Sequence, residues 1–208
     1  MTTSGGRIKS SQRVYEAIVE KIQSGELKNA VVENDITQLL GVSRTPVREA
    51  IARLIVEGWV EVLDNGSKVV CKITVDQARE IFQVRMNLET LLLELAWGEI
   101  DLKLVATLRE ECQAFIDSGD FDSGKHTLAN LYEELFKKAN NKLLVESIGV
   151  LHNKINLIKV EYIDQVKRKS AEEILSLLTT IVDENKDKSI HNLRFYLAAS
   201  YYRLFGEL

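Results

Sequence analysis

Proline is almost missing from this chain: Pro46 is the only one in 208 residues, against about one in twenty in an average sequence. A chain so poor in rigid turns is expected to run in long helices. Cysteine is nearly as scarce. Cys71 and Cys112 stand 41 positions apart without a CxxC spacing, which argues against a structural zinc site or disulfide framework and points to a reducing compartment. No uncharged apolar run approaches the roughly 18 residues that cross a bilayer. The opening MTTSGGRIKSSQR lacks the apolar core of a signal peptide. These absences predict a cytoplasmic protein with a mobile tail over residues 1–9. Also missing are a phosphate-binding glycine loop, GxSxG, HExxH and a recognisable pair of catalytic acids, so the usual enzyme signatures are not met. The net charge of −4, taken whole, argues against a nucleic-acid binder, because phosphate attraction needs a basic surface.

What is present is a globular composition, 45% hydrophobic and 28% charged, with length enough for two domains. Apolar residues Val14, Ala17, Ile18 and Ile22 recur at helical spacing over 10–24. A second, short helix is expected over Asp35–Leu40, with Ile36, Leu39 and Leu40 apolar and Gly41 ending it. A third runs from about Ser43–Pro46 to Glu57, with Val47, Ala50, Ile51 and Leu54 inward. Trp59, Val60, Val62 and Leu63 then read as one strand and Val69, Val70 and Ile73 as another, joined by Asp64-Asn65-Gly66-Ser67, because Asn-Gly accepts positive φ. Strands are expected nowhere else. Helices follow over Val75–Trp97, Leu102–Ile116 and about 126–140, 143–166, 169–183 and 187–205, with a loop over 118–125 and the Lys167-Arg168-Lys169 cluster as a divider. The first of them places Ile81, Val84, Leu88, Leu91, Leu92 and Leu95 on a wide apolar face, and the second Leu104, Leu108 and Cys112. The fold class is therefore mainly α: a winged helix-turn-helix over 10–75 and an antiparallel bundle of about six helices over 76–208.

The stretch LLGVSRTPVREAIARLIVEGWVEV, residues 39–62, carries the most information. Gly41 permits a tight turn, and Thr45 can cap the third helix with Pro46 at its first position. Arg44, Thr45 and Arg48 then occupy the turn that enters the major groove in helix-turn-helix docking. Arginine suits both guanine edges and phosphates. Taken singly, Arg48 could equally be a solvated charge paired with Glu49 or Glu57.

At these residues the sequence resembles the GntR family of bacterial transcriptional regulators. The resemblance extends to QSGEL at 23–27 and to VRMNLE at 84–89, which is similar to the opening of the helical FCD-type effector domain in the FadR-like branch. It implies a cytoplasmic homodimer on a short palindromic operator, controlled by a small metabolite. It also implies that Arg44 and Arg48 read bases, that Ser43 and Thr45 touch phosphates, and that the wing tip Gly66, with Ser67 and Lys68, approaches the minor groove. Two departures stand out. GELKNAVVENDI is about two residues shorter than usual and lacks a Pro-Gly pair, and Asn34 stands where many members carry a DNA-contacting arginine.

The FadR-like branch commonly holds a divalent metal through an aspartate and three histidines. Anchored on Leu135, Asn141, Leu143 and Leu144, those positions fall on Leu128, Tyr132, Ala171 and Ala198, none of which binds metal well. The expectation is a metal-free pocket with no cofactor, although His126 and His191 could take part in a rearranged site. Arg85, on the first bundle helix, is either bridged to Glu89 four residues on or free to capture a ligand carboxylate. Tyr132, His152, Asn156 and Arg194 complete the candidate effector pocket, and its apolar and aromatic lining suits an organic acid or acyl derivative. The rival reading keeps the DNA-binding domain and makes the bundle only a dimerisation or protein-interaction module. An enzyme would need turnover of a metabolite by the pure protein.

The charge balance divides along the same boundary. Residues 1–75 hold 10 basic against 9 acidic residues, while 76–208 hold 17 against 22. The acidity belongs to the bundle and does not oppose DNA binding by the first domain.

Overall fold

A computed structural model describes residues 4–121, 126–158 and 164–205. The chain divides into two compact units, one of Met1–Thr74 with Gly149–Lys159 and one of Val75–Ile148 with Val160–Leu208.

In the first unit α1 spans Ser4–Ser24, α2 Glu33–Leu40 and α3 Arg44–Val56. The helix α1 buries Val14, Ile18 and Ile22, one residue per turn on a single face. It already includes residues 4–9, read from sequence as a mobile tail. The helix α2 starts two residues earlier than expected. Glu33 and Asp35 lie in its first turn, where carboxylates complement the N-terminal dipole. Of its three apolar residues Ile36 is buried, whereas Leu39 is exposed. Gly41, at φ 63°, turns the chain toward α3. Ser43 rather than Thr45 is the extended N-cap of α3, without a side-chain cap bond. Pro46 is thus the third helical residue, still within the turn whose N–H groups lack intrahelical partners, so it costs no hydrogen bond.

The strands β1 (Val60–Val62) and β2 (Lys68–Val70) pair antiparallel with Val60 opposite Val70 and Val62 opposite Lys68. Trp59, Leu63 and Ile73, expected to be strand residues, lie outside this shorter ladder. One bridge was missed: Ala30 pairs with Val69, supported by Val31 N donating to Lys68 O (2.8 Å) and Val70 N to Asn29 O (2.9 Å). A single bridge has no alternation for sequence reasoning to detect. The core of the unit joins Val14, Ile18 and Ile22 to Ile36, Val47, Ile51, Leu54, Trp59 and Val60. In the stretch Gly149–Lys159, Asn153 Nδ2 donates to Glu57 O at 3.0 Å.

The second unit is built on α4 (Val75–Ala96), α5 (Leu102–Ser118), α6 (Thr127–Lys138), the start of α7 (Lys142–Asn156), α8 (Asp164–Val182) and α9 (Lys186–Phe205). Its core holds Leu92, Leu93, Leu108, Leu131, Leu135, Ile148, Leu177, Leu178, Ile181, Leu193 and Leu197. Asp101 caps α5 by accepting from Lys103 N (3.0 Å) and Leu104 N (3.3 Å), and the buried stripe is Val105, Leu108, Cys112 and Ile116. Leu104, expected inward, is exposed. The helix expected over 143–166 ends at Asn156, and Lys167-Arg168-Lys169 lies inside α8 instead of dividing helices. Half of the expected 118–125 loop, residues 122–125, lies outside the described residues.

Candidate nucleic-acid interface and bundle centre

Packing of α3 against α1 fixes the reading helix. Arg53 lies over the Tyr15 ring at 3.9 Å and its Nε donates to Glu57 Oε1 at 2.6 Å, while the Tyr15 hydroxyl donates to Glu57. Burial first, and then the bond to the Glu57 carboxylate, push the Tyr15 phenol up to about 12, so it remains a donor at neutral pH. With Val47, Ala50, Ile51 and Leu54 turned into the core, the opposite face of α3 is presented outward.

Ser43, Arg44, Thr45 and Arg48 are all exposed there, and so is Asn34 in α2. Arg44, the first residue of α3, pairs with no described carboxylate. Arg48 does pair, though with neither Glu49 nor Glu57: its Nε donates to Glu33 Oε2 at 2.8 Å. Lys68 Nζ reaches the other Glu33 oxygen at 3.3 Å. Bonding to Arg48 is the largest of the causes that hold the Glu33 carboxyl below its usual range. At the wing tip Gly66 has φ 80° and open space around it. Gly66 N donates to Leu63 O (2.8 Å), and Ser67 N to Asn65 Oδ1 (2.9 Å). All eight candidate DNA-contact residues therefore belong to one unit. Sequence reasoning missed Glu33, whose only signal was a carboxylate at the start of a helix.

The five candidate pocket residues are not brought together. Arg85 and Tyr132 meet inside the bundle, both on Glu89: Arg85 Nε donates to Glu89 Oε1 at 2.6 Å, and the Tyr132 hydroxyl to Oε2. Of the two readings of Arg85, the internal bridge is the one realised. Burial, and after it the Glu89 charge, raise the Tyr132 phenol well above its ordinary value, which keeps it a proton donor. His152 and Asn156 fall in Gly149–Lys159, grouped with the first unit, and Arg194 is exposed. Leu128, Tyr132, Ala171 and Ala198 offer no histidine or carboxylate. Among the described residues, no group of three or more His, Cys, Asp or Glu is placed to hold a metal. A second, partly buried ion pair, Arg203 Nη1 to Glu173 Oε2 at 2.7 Å, has no signal in the sequence because its partners are 30 positions apart.

A reading helix with an exposed cationic first turn, a preceding helix and a glycine-tipped wing define a winged helix-turn-helix, here in one chain with a helical bundle. Such an architecture is that of a DNA-binding regulator. The description "Bacterial regulatory proteins, gntR family" matches residues 10–70, and the FCD domain matches 80–197. The chain belongs to the GntR family of transcriptional regulators, with an FCD domain after the DNA-binding domain, and is not an enzyme.

An HTH-type regulator of Agrobacterium vitis from the TAR-I ttuE-ttuC' intergenic region is 30% identical over 119 residues, covering 55% of this chain and 68% of the relative. The HTH-type transcriptional regulator YdhC of Bacillus subtilis (strain 168) is 26% identical over 181 residues, covering 84% and 80%. Among solved structures, Escherichia coli McbR/YncC shares the fold with a TM-score of 0.77 at 22% identity, covering 95% of this chain and 98% of its own. No described helix is long and apolar enough to cross a membrane.

Proposed function

We propose that this regulator binds a palindromic operator in the cytoplasm as a homodimer, and that an apolar organic acid or acyl derivative in the helical unit controls its affinity. The observation that carries the DNA reading is the exposed first turn of α3, with Arg44 at its start and Arg48 joined through Glu33 to Lys68 of the wing. In this reading the turn brings guanidinium groups to base edges, while Ser43, Thr45, Asn34 and Ser67 contact the DNA backbone. Two copies on a twofold axis double these contacts and demand two half-sites.

Support for the dimer comes from α4. Val84, Leu91 and Leu95 are 47, 40 and 43% exposed, and with the partly buried Leu88 they form one apolar stripe about three turns long. A stripe of this kind is worth covering with another copy. Support for the effector comes from a cavity of about 300 Å³ between α4 and α9, walled by Phe82, Met86, Leu197, Ala198 and Tyr201, with Arg79 at its edge. Its walls suit an apolar body, and a ligand carboxylate would share Arg79 with Asp76, whose Oδ1 its Nη1 already meets at 3.1 Å. The site takes no metal in this reading, since Leu128, Ala171 and Ala198 carry no ligand atoms and the Tyr132 hydroxyl is engaged as a donor to Glu89.

The second reading, a bundle that only dimerises, is favoured by one observation: Arg85, the buried cation, is already neutralised by Glu89. A thermal-shift screen of apolar organic acids and acyl thioesters separates the two. Stabilisation by a member of that class supports the first, because a ligand that prefers the folded state must raise its stability, and no shift with any compound supports the second.

A further inference from the structure

We infer that Glu33 is a specificity-determining residue of the DNA-reading face, holding Arg48 and Lys68 in a posture suited to base edges and away from phosphate. The inference rests on the reading that α3 and the wing face the operator.

One carboxylate here serves two elements. Glu33 Oε2 takes Arg48 Nε of α3 at 2.8 Å, and Oε1 takes Lys68 Nζ of β2 at 3.3 Å. The Glu33 backbone is itself fixed as the first residue of α2, where its carbonyl accepts Thr37 Oγ1 at 2.6 Å. The acid therefore projects from a stationary point, and its side chain is 27% exposed against 66% for Arg48.

The chemistry of the guanidinium gives this contact its consequence. Arginine has five N–H donors in a rigid plane. Glu33 uses the Nε–H, and the terminal fork, Nη1 and Nη2, belongs to a side chain that is 66% exposed. That fork is the part that grips guanine O6 and N7 side by side. An arginine without such a buttress has free torsions and a strong attraction to phosphates, which exist at every step of every sequence. Lys68 has the same choice, and its bond to Glu33 ties the wing to the reading helix. An exposed ion pair contributes little to stability, so the value of this one lies in geometry. It orients one arginine for direct readout and withholds two cations from sequence-independent binding.

The test uses the full chain and two duplexes, the best-bound sequence recovered by in vitro selection from a randomised library with the wild-type protein, and a scramble of it. Circular dichroism confirms folding of each variant. For Glu33→Ala, binding to the selected duplex is expected to weaken and binding to the scramble to strengthen, so that discrimination falls on the order of tenfold, and the salt dependence for the scramble steepens by about one to two counterions. Glu33→Gln keeps an acceptor oxygen for Arg48 Nε and is expected to retain more of the discrimination, which keeps the test valid should the alanine variant unfold. In an Arg48→Ala background, Glu33→Ala should cause no further loss of discrimination. Equal strengthening on both duplexes would reduce Glu33 to a bulk negative charge and overturn the inference, as would no change on either. Should Arg48→Ala leave discrimination intact, the assignment of the reading face falls as well. Loss with Arg48→Ala but none with Glu33→Ala overturns only the role of Glu33.

Discussion

The hydroxyl of Tyr132 on α6 donates to Glu89 on α4, whose other carboxylate oxygen is held by Arg85 at 2.6 Å. An aromatic donor from one helix thus completes the hydrogen bonding of an ion pair buried within another. Removing one partner strands a charge in an apolar interior. Glu89→Ala should destabilise the protein by about 3–5 kcal/mol, and Tyr132→Phe by about 1–3 kcal/mol, read from denaturant unfolding. The double variant Arg85→Met with Glu89→Leu should recover most of the loss, since no charge is left behind. Equal damage by the double and the single acid variant contradicts this account.

On the DNA face, Arg44→Ala is expected to cost about 1–3 kcal/mol for the selected operator and to relax base preference at one position of each half-site. With Glu33 holding its ammonium, Lys68→Ala alone should change duplex binding and the salt slope little, whereas in a Glu33→Ala background it should weaken all duplexes and flatten the slope. Gel-shift titrations over several salt concentrations check both, and an Arg44→Ala protein with wild-type operator affinity would remove α3 as the reading helix.

A charge in the exposed stripe of α4 should break the homodimer. Leu91→Glu is half in water already, so the fold is expected to survive, while sedimentation moves from dimer to monomer and operator binding loses its cooperativity. Wild-type protein sedimenting as a monomer at micromolar concentration sinks the dimer proposal.

Burial raises both thiols, Cys112 up to about 11 and Cys71 in the same direction. The thiolate is the nucleophile, so neither should react with iodoacetamide at about pH 8 on the timescale that labels free cysteine. Both should label at once in denaturant. Rapid labelling of Cys112 in the native protein, seen by mass spectrometry, contradicts its place in the bundle core.

Protein purified without chelator should contain no stoichiometric transition metal. Elemental analysis decides it, and one equivalent of zinc, nickel or iron per chain would revive a site built from His126 or His191.

Local chemistry made the first unit legible in the sequence. The stripe Val14, Ile18 and Ile22, the turn at Gly41, the inward face Val47, Ala50, Ile51 and Leu54, and the Asn65-Gly66 wing are all specified within a few residues, because helix periodicity and positive φ are short-range demands. Even there, the N-cap fell on Ser43 instead of Thr45, a shift of the kind that helix ends commonly show. In the bundle, six helices could be counted from periodicity, yet not which apolar face was covered: Ile81 and Leu92 of α4 are buried and Val84, Leu91 and Leu95 of the same helix are not.

The scarcity of proline thus determined, by itself, a mainly helical chain, and the run from Leu39 to Val62 determined its winged helix-turn-helix. What only the tertiary structure decided was partnership. Arg48 chose Glu33, fifteen positions away, over Glu49 and Glu57, and Tyr132 became the donor to Glu89, forty-three positions away. His152 and Asn156 left the bundle for the first unit. Spacing along a chain fixes which residues share a helix face, whereas a carboxylate pairs with whatever cation packing brings within about 3 Å, and that distance belongs to the folded molecule alone.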